Sequence, residues 1–262
     1  MECIRPSAGL STGITQTQHR WRAALRLVSR KLWRRYLPQC FIALDKKPRE
    51  FLLAGLIRQL GRKTMAMKIY GSPMSRASRS IWCAKELGVP FEHVDLGWDQ
   101  LKSPDFLAVN PNGKFPGFAD GDLKLFESLA INLYIAKKYG TGELYPTNIE
   151  DEARTFQWTL WAATEVEPLV LPSVMVKFGF GSDPATAKAC AERVKPVLKV
   201  LDDYLQTHEW LVGKNFSVAD LNAASVVGMT RYGDIDISYV PNVGAWLDRC
   251  LSRPARNPKA RE

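Results

Sequence analysis

Three short stretches of the 262-residue chain carry residue types suited to holding and activating a small, acidic, peptide-like ligand. At Glu127-Ser128, where a strand signal meets a helix signal, Ser128 offers a hydroxyl and free backbone amides to a carboxylate. Glu127 beside it offers a negative charge to an ammonium group. A free amino-acid end carries both charges. Ser128 reads equally well as an ordinary helix cap with an acidic neighbour. At Phe115-Pro116 a proline opens a strand, where its missing N–H is awkward. A cis peptide there would turn the Phe115 N–H and C=O sideways, free to pair with an extended peptide in strand fashion; a trans proline at a strand edge is the plainer reading. In the turn GSPMS, Ser75 stands four residues before Arg79, one helical turn away. A hydroxyl at that helix start can donate to a thiolate, and the amides and dipole around it favour the anion. The turn contains no cysteine, so the thiol would belong to the ligand. Ser72 and Ser78 compete for the same role, and any of the three serines could be a cap.

These residues need elements to place them. MKIY is a strand signal, Arg79 to Leu87 a helix closed by Gly88, and FEHVDL a second strand, which together make a right-handed parallel βαβ unit. A helical turn near Ser103 to Ala108 follows. Phe115 to Ala119 and Leu123 to Phe126, separated by Asp120-Gly121, then predict an antiparallel hairpin. A helix from Leu129 to Tyr139 ends at Gly140. The pattern is a small mixed sheet with helices packed on it. TGELYPTN reads as a linker. Beyond it strand signals stop, and Glu150 to about Phe178, Pro184 to Leu205, Val218 to about Arg231 and Val243 to Leu251 all read as helices, so a second, all-helical domain is expected. In that domain S-V-A-D at 217–220 has the form of a capping box, with Ser217 as N-cap, Asp220 three residues in, and Phe216 and Leu221 as a hydrophobic staple.

The charge is unevenly spread. Residues 1–64 hold 14 Lys/Arg against Glu2, Asp45 and Glu50, whereas residues 65–262 hold 22 bases and 24 acids. The body of the chain is therefore not basic, and no nucleic-acid partner is expected. Within the basic segment, Trp21, Leu25, Val28, Leu32 and Trp33 fall near helical spacing among six Arg/Lys. It reads as a targeting or membrane-surface helix, as a regulatory arm, or as a start assigned too far upstream of Met65 and Met67. Membrane contact is expected through this extension only. Five widely spaced cysteines, with no C-x-x-C and no His at metal spacing, imply neither a disulfide framework nor a structural metal, and point to a reducing, cytoplasmic compartment.

From Met67 to about Pro254 the chain resembles the cytosolic-type glutathione transferases, in the serine-using group with theta- and delta-like and bacterial members. The pieces that carry the likeness are N-P-N-G-K-F-P at 110–116, F-E-S-L-A-I at 126–131 and S-V-A-D at 217–220. The resemblance implies an α+β, thioredoxin-like N-terminal domain at 65–142 and an all-α C-terminal domain at 148–255, between a basic extension at 1–64 and a basic tail at 256–262. It implies glutathione as cosubstrate, with no further cofactor and no metal. Phe115 would pair by its backbone with the cysteinyl part, and Pro116 would be the cis-proline. Glu127 and Ser128 would take the γ-glutamyl end, Lys114 would approach the glycyl carboxylate, and Ser75 would stabilise the thiolate, with Tyr70 as a weaker competitor. The reaction implied is conjugation to a small hydrophobic electrophile by a homodimer. Dehalogenation, isomerisation, peroxide reduction and a non-catalytic interaction role remain alternatives on the same fold. Trp158 and Trp161 either floor a pocket for the electrophile or belong to the core. Cys83 reads as core, and His93 and His208 as incidental.

Overall fold

The computed structural model describes residues 67–256, so the extension read at 1–64 and residues 257–262 lie outside the described residues. Four short strands form one mixed sheet in the order β2-β1-β3-β4: β1 (Met67–Tyr70), β2 (Phe91–Val94), β3 (Gly117–Asp120) and β4 (Leu123–Phe126). β1 and β2 are parallel, joined through helix α1 (Ala77–Glu86), and β3 is antiparallel to both β1 and β4. Between β2 and β3 lie a 3-10 turn (Trp98–Lys102) and the one-turn helix α2 (Pro104–Leu107), which starts at Ser103, whose side chain accepts the Phe106 N–H. Helix α3 (Ser128–Tyr139) follows β4 directly and packs against α1. Ile69, Phe118, Ile131 and Ile135 are fully buried between the sheet and these helices.

Two sequence expectations shift here. The third strand begins at Gly117, not Phe115, because Pro116 has no N–H to give to the ladder. The second strand stops at Val94, before the exposed Asp95.

The remainder is helical: α4 (Ile149–Trp161), a π-helical segment (Ala162–Val166), α5 (Glu167–Lys177), α6 (Pro184–Leu205), α7 (Val218–Val227), α8 (Met229–Tyr232) and α9 (Pro241–Leu251). The long helix expected from Glu150 to Phe178 is thus continuous but widened in its middle by the π turn, and the one expected from Val218 to Arg231 is interrupted at Gly228. Helix α7 is buried around nearly its whole circumference, as a helix enclosed by others must be. It touches α1, α3, α4 and α9, which makes it the hub of the core. Asn222, within α7, accepts from Asn132 Nδ2 at 2.8 Å and donates to the Leu129 carbonyl and to Thr159 Oγ1, both at 3.3 Å. One buried amide therefore ties α3, α4 and α7 together, which a purely apolar contact would not do with the same specificity.

The capping box forms as read. Asp220 Oδ2 accepts from the Ser217 N–H and hydroxyl, while Oδ1 accepts from the Leu211 N–H and Trp246 Nε1, with Phe216 and Leu221 buried beside it. Trp158 is buried, edge-on to Trp161 and 4.9 Å from the Tyr204 ring, and so belongs to the core rather than to a pocket floor. Cys83 is fully buried, and burial pushes its thiol well above the usual range. His93 and His208 do have partners: His93 Nε2 lies 2.8 Å from the Gly71 carbonyl, and His208 stacks on Tyr204.

Candidate active site

The strand register brings the candidate residues together. Tyr70, the last residue of β1, pairs with Gly117, the first of β3, and Gly117 also pairs with Phe126, the last of β4; Val94, the last of β2, pairs with Tyr70. Four segments therefore leave the sheet at the same end: the turn with Ser75, the approach through Lys114, Phe115 and Pro116, the junction Glu127-Ser128, and the stretch leading to Trp98.

Phe115 lies in the short approach to β3. The Phe115–Pro116 peptide is cis. Asn110, itself buried, donates through Nδ2 to the carbonyls on either side of Phe115, 2.5 Å from Lys114 O and 3.1 Å from Pro116 O. The Phe115 N–H and C=O have no partner among the described residues. Its ring packs on Gly71, where an added Cβ would come within 2.9 Å of the ring, so only glycine allows the approach. Asn110 was missed as a positioning residue in the sequence reading. Its signal was the N-P-N turn, in which Asn110 Oδ1 accepts the Asn112 N–H at 3.0 Å.

Glu127 and Ser128 sit at the start of α3. Glu127 is the N-cap residue, in a left-handed conformation with φ 70°, and it is exposed; Ser128, buried, is the first helical residue. Ser128 is thus not the cap, and the amides of the first turn stay open. Lys114 is exposed, and Lys102 approaches the same loop, its Nζ 3.5 Å from the Asn112 carbonyl.

The Ser75 turn is internally bonded. Ser75 Oγ donates to the Ser72 carbonyl at 2.6 Å and accepts the Ala77 N–H, the first helical amide of α1, at 3.1 Å; the N-cap residue itself is Arg76. Ser78 Oγ is turned back onto the Ser75 carbonyl at 2.9 Å. Ser72 Oγ accepts the Met74 N–H, and its own proton meets no acceptor among the described residues. Tyr70 is half-buried.

Behind the site lies a buried ion cluster that the sequence showed only as the R of S-x-x-x-R. Arg79 reaches Ser128 Oγ at 3.4 Å and Met229 Sδ at 3.2 Å, and both its terminal nitrogens bond Glu167, the first residue of α5; Arg76 Nε adds a bond to Glu167 at 2.5 Å. Burial works against the Arg79 charge and lowers its pKa, while Glu167 opposes that change. For Glu167, burial disfavours the anion, but Arg79 and then Arg76 outweigh it and hold the carboxyl below the usual carboxylate range.

Known proteins share this fold. Residues 65–137 match the family model described as the glutathione S-transferase N-terminal domain, and residues 162–254 match that of the glutathione S-transferase C-terminal domain. Glutathione S-transferase F9 of Arabidopsis thaliana is 34% identical over 209 residues, which cover 73% of this chain and 94% of the relative. The crystal structure of glutathione transferase F7 from Populus trichocarpa superposes with a TM-score of 0.66 at 32% identity, covering 75% of this chain and 98% of that one. A theta-class glutathione S-transferase from Xanthomonas axonopodis pv. citri, solved with glutathione bound, gives a TM-score of 0.68 at 26% identity over 76% of this chain and 98% of its own. The plant proteins are closer in sequence than the theta-class one, so the likeness does not assign the chain to a theta- or delta-like group. With a thioredoxin-like half, a helical half and these matches over most of its length, the chain belongs to the glutathione S-transferase family.

Proposed function

We propose that the chain conjugates the thiol of glutathione to small electrophiles at the end of the sheet where the four segments emerge. The observation that carries this reading is the shared register of Tyr70, Gly117 and Phe126, which groups a thiol-facing turn, a strand-like edge and an amino-acid clamp. An extended tripeptide fits these parts in order. Its γ-glutamyl carboxylate takes the open amides of α3 and Ser128, and its ammonium takes Glu127. Its cysteinyl backbone pairs with Phe115 beside Pro116. Its glycyl carboxylate meets Lys114, with Lys102 close by.

The thiol then lies toward the Ser75 turn. In this serine-using reading the Ser75 hydroxyl leaves the Ser72 carbonyl and donates to the thiolate instead. A hydrogen bond to a charged acceptor contributes about 1.5–3 kcal/mol, which shifts the thiol equilibrium toward the anion by roughly tenfold to a hundredfold. The proton goes to solvent, and the sulfur attacks the electrophile. Glutathione enters as cosubstrate.

Ile149, Phe156 and Leu160 are exposed along α4, which supports a homodimer. Cys83, Cys190 and Cys250 are free and buried, in keeping with a reducing, cytoplasmic setting. No helix among the described residues is long and apolar enough to cross a membrane.

The reading is tested by calorimetric glutathione binding and conjugation rates for the wild type, Ser75→Ala and Glu127→Ala. Retained binding with slow conjugation is expected for the first variant and weak binding for the second. Unchanged affinity and rate in both would remove the assignment.

A further inference from the structure

Two arginines share one carboxylate beside the Ser75 turn. Glu167 Oε1 accepts from Arg76 Nε at 2.5 Å and from Arg79 Nη2 at 3.1 Å, while Oε2 accepts from Arg79 Nη1 at 3.2 Å. Arg79 and Glu167 are both largely withdrawn from water and balance each other, so their pair needs no second cation. Arg76 leaves the cluster with one positive charge in excess. Its side chain is 43% exposed, and its Nη1 and Nη2 make no hydrogen bond to any described residue. Arg76 is also the N-cap residue of α1, where the helix dipole is positive and a cation is the unfavourable charge. The crowding reaches its neighbour, since the Arg76 charge works to lower the Arg79 pKa. Such a surplus is offset only when an anion arrives.

The cluster runs along the proposed site. Arg76 follows Ser75 directly in the chain, and at the other end Arg79 Nη1 lies 3.4 Å from Ser128 Oγ. A guanidinium is at most about 7 Å from its own Cα and neighbouring Cα atoms are about 3.8 Å apart, which keeps the Arg76 charge within about 11 Å of the Ser75 Cα. We propose that Arg76 supplies, through space, the positive charge that stabilises the glutathione thiolate, an inference that rests on glutathione transfer at this site. As the bound thiol ionises, its proton passes to solvent and the charge left on sulfur offsets the surplus. Ser75 gives a contact and Arg76 gives a field. The other ionisable groups around this end of the sheet are Tyr70 on β1, His93 on β2, Asp95 and Asp99 after β2, Lys114 before β3, Glu127 before α3, Arg79 on α1 and Glu167 on α5. Asp95 and Asp99 are exposed and screened by solvent. Arg79 and Glu167 hold each other, while Glu127 and Lys114 meet the ammonium and the glycyl carboxylate of the ligand. Arg76 is the charge left over for sulfur.

The test is the thiol pKa of bound glutathione, read from the ultraviolet absorbance of the thiolate against pH in the wild type, Arg76→Gln and Arg76→Lys. One unit charge at about 8–11 Å, screened as at a protein surface, changes that pKa by about half a unit to one unit. Arg76→Gln is expected to raise it by that amount. Below the wild-type thiol pKa, kcat/KM with a chlorodinitrobenzene should fall roughly threefold to tenfold in this variant, and the gap should close as pH rises above both values. Arg76→Lys, which keeps the charge, should restore most of the effect. Affinity for S-methylglutathione, which has no thiol to ionise, should be the same in all three proteins. An equal pKa rise in Arg76→Lys, or weaker binding of S-methylglutathione in Arg76→Gln, overturns the inference, because Arg76 would then be shaping the site and not charging it. A wild type that acidifies the bound thiol, with Arg76→Gln unchanged from it, overturns this inference alone. A wild type that binds glutathione without lowering its thiol pKa overturns it together with the thiolate reading.

Discussion

Glu167 grips Arg79 with both carboxylate oxygens, Oε1 at 3.1 Å from Nη2 and Oε2 at 3.2 Å from Nη1, so a helix of the all-α half supplies the counter-charge for the site-bearing half. Arg79 is only 5% exposed and Glu167 14%. Removing one partner of such a pair strands the other charge away from water, at a cost of about 3–5 kcal/mol. Glu167→Ala should therefore lower stability by about that much in urea denaturation. Because Arg79 also touches Ser128 Oγ, glutathione affinity should fall in the same variant. A loss below about 1 kcal/mol would mean that the pair is solvated in solution.

The same pair sets a pH dependence. The folded pKa of Glu167 is held below its ordinary value of 4.5, so its contribution is present above that pH and is lost as pH falls through the folded value. The stability difference between the wild type and Glu167→Gln should be largest near neutrality and shrink below about pH 4.5. A difference that is constant from about pH 7 to about pH 3 would exclude this linkage.

Ser75→Ala should lower kcat/KM by roughly tenfold to a hundredfold with little change in glutathione affinity, since a hydrogen bond to the thiolate is lost. Ser72→Ala is the informative control, because its hydroxyl proton is the unengaged one among the described residues of the turn. If Ser72→Ala shows the larger rate loss, the donor is Ser72. Tyr70→Phe should leave the rate nearly unchanged.

Glu127 combines the charge proposed to meet the glutathione ammonium with a backbone conformation that suits glycine. A non-glycine residue at φ 70° carries strain of about 1–3 kcal/mol. Glu127→Gly should thus raise stability by about 1 kcal/mol while weakening glutathione binding by about tenfold or more. Calorimetry and thermal melting read the two effects separately. Parallel changes in both would contradict the assigned division.

Asp220→Ala removes the acceptor shared by the Leu211 and Ser217 amides, the Ser217 hydroxyl and the Trp246 indole. Leaving these buried donors unpaired should cost at least about 3 kcal/mol in urea denaturation, without altering glutathione affinity per folded molecule.

Much of this was legible in the sequence because it depends on local patterns. The short strands, the DG turn, the Pro184 to Leu205 helix and the Ser217–Asp220 box are each dictated by residues close in the chain, and all form where they were read, within a residue or two. What escaped depends on contacts between distant positions. Nothing near Glu167 announces that it faces Arg79, 88 residues earlier, and Asn110 reveals its grip on the Phe115 approach only once the loop has closed. The π turn at Ala162–Val166, AATEV, contains neither Gly nor Pro, so no breaker residue marks it in the sequence. Trp158 was ambiguous for the opposite reason, since an aromatic on a helix face suits a pocket or a core until its neighbours are known.

The hairpin tip at Gly121-Asp122 stands at the end of β3 and β4 opposite to Gly117 and Phe126, and both residues are exposed. Asp120, just before it, is fastened to Tyr134, Lys138 and Tyr139, which isolates the tip from the rest of the sheet. That makes the tip a natural attachment point: a fluorophore, an affinity handle or a surface tether inserted there would point away from the proposed glutathione site and leave that end of the sheet accessible.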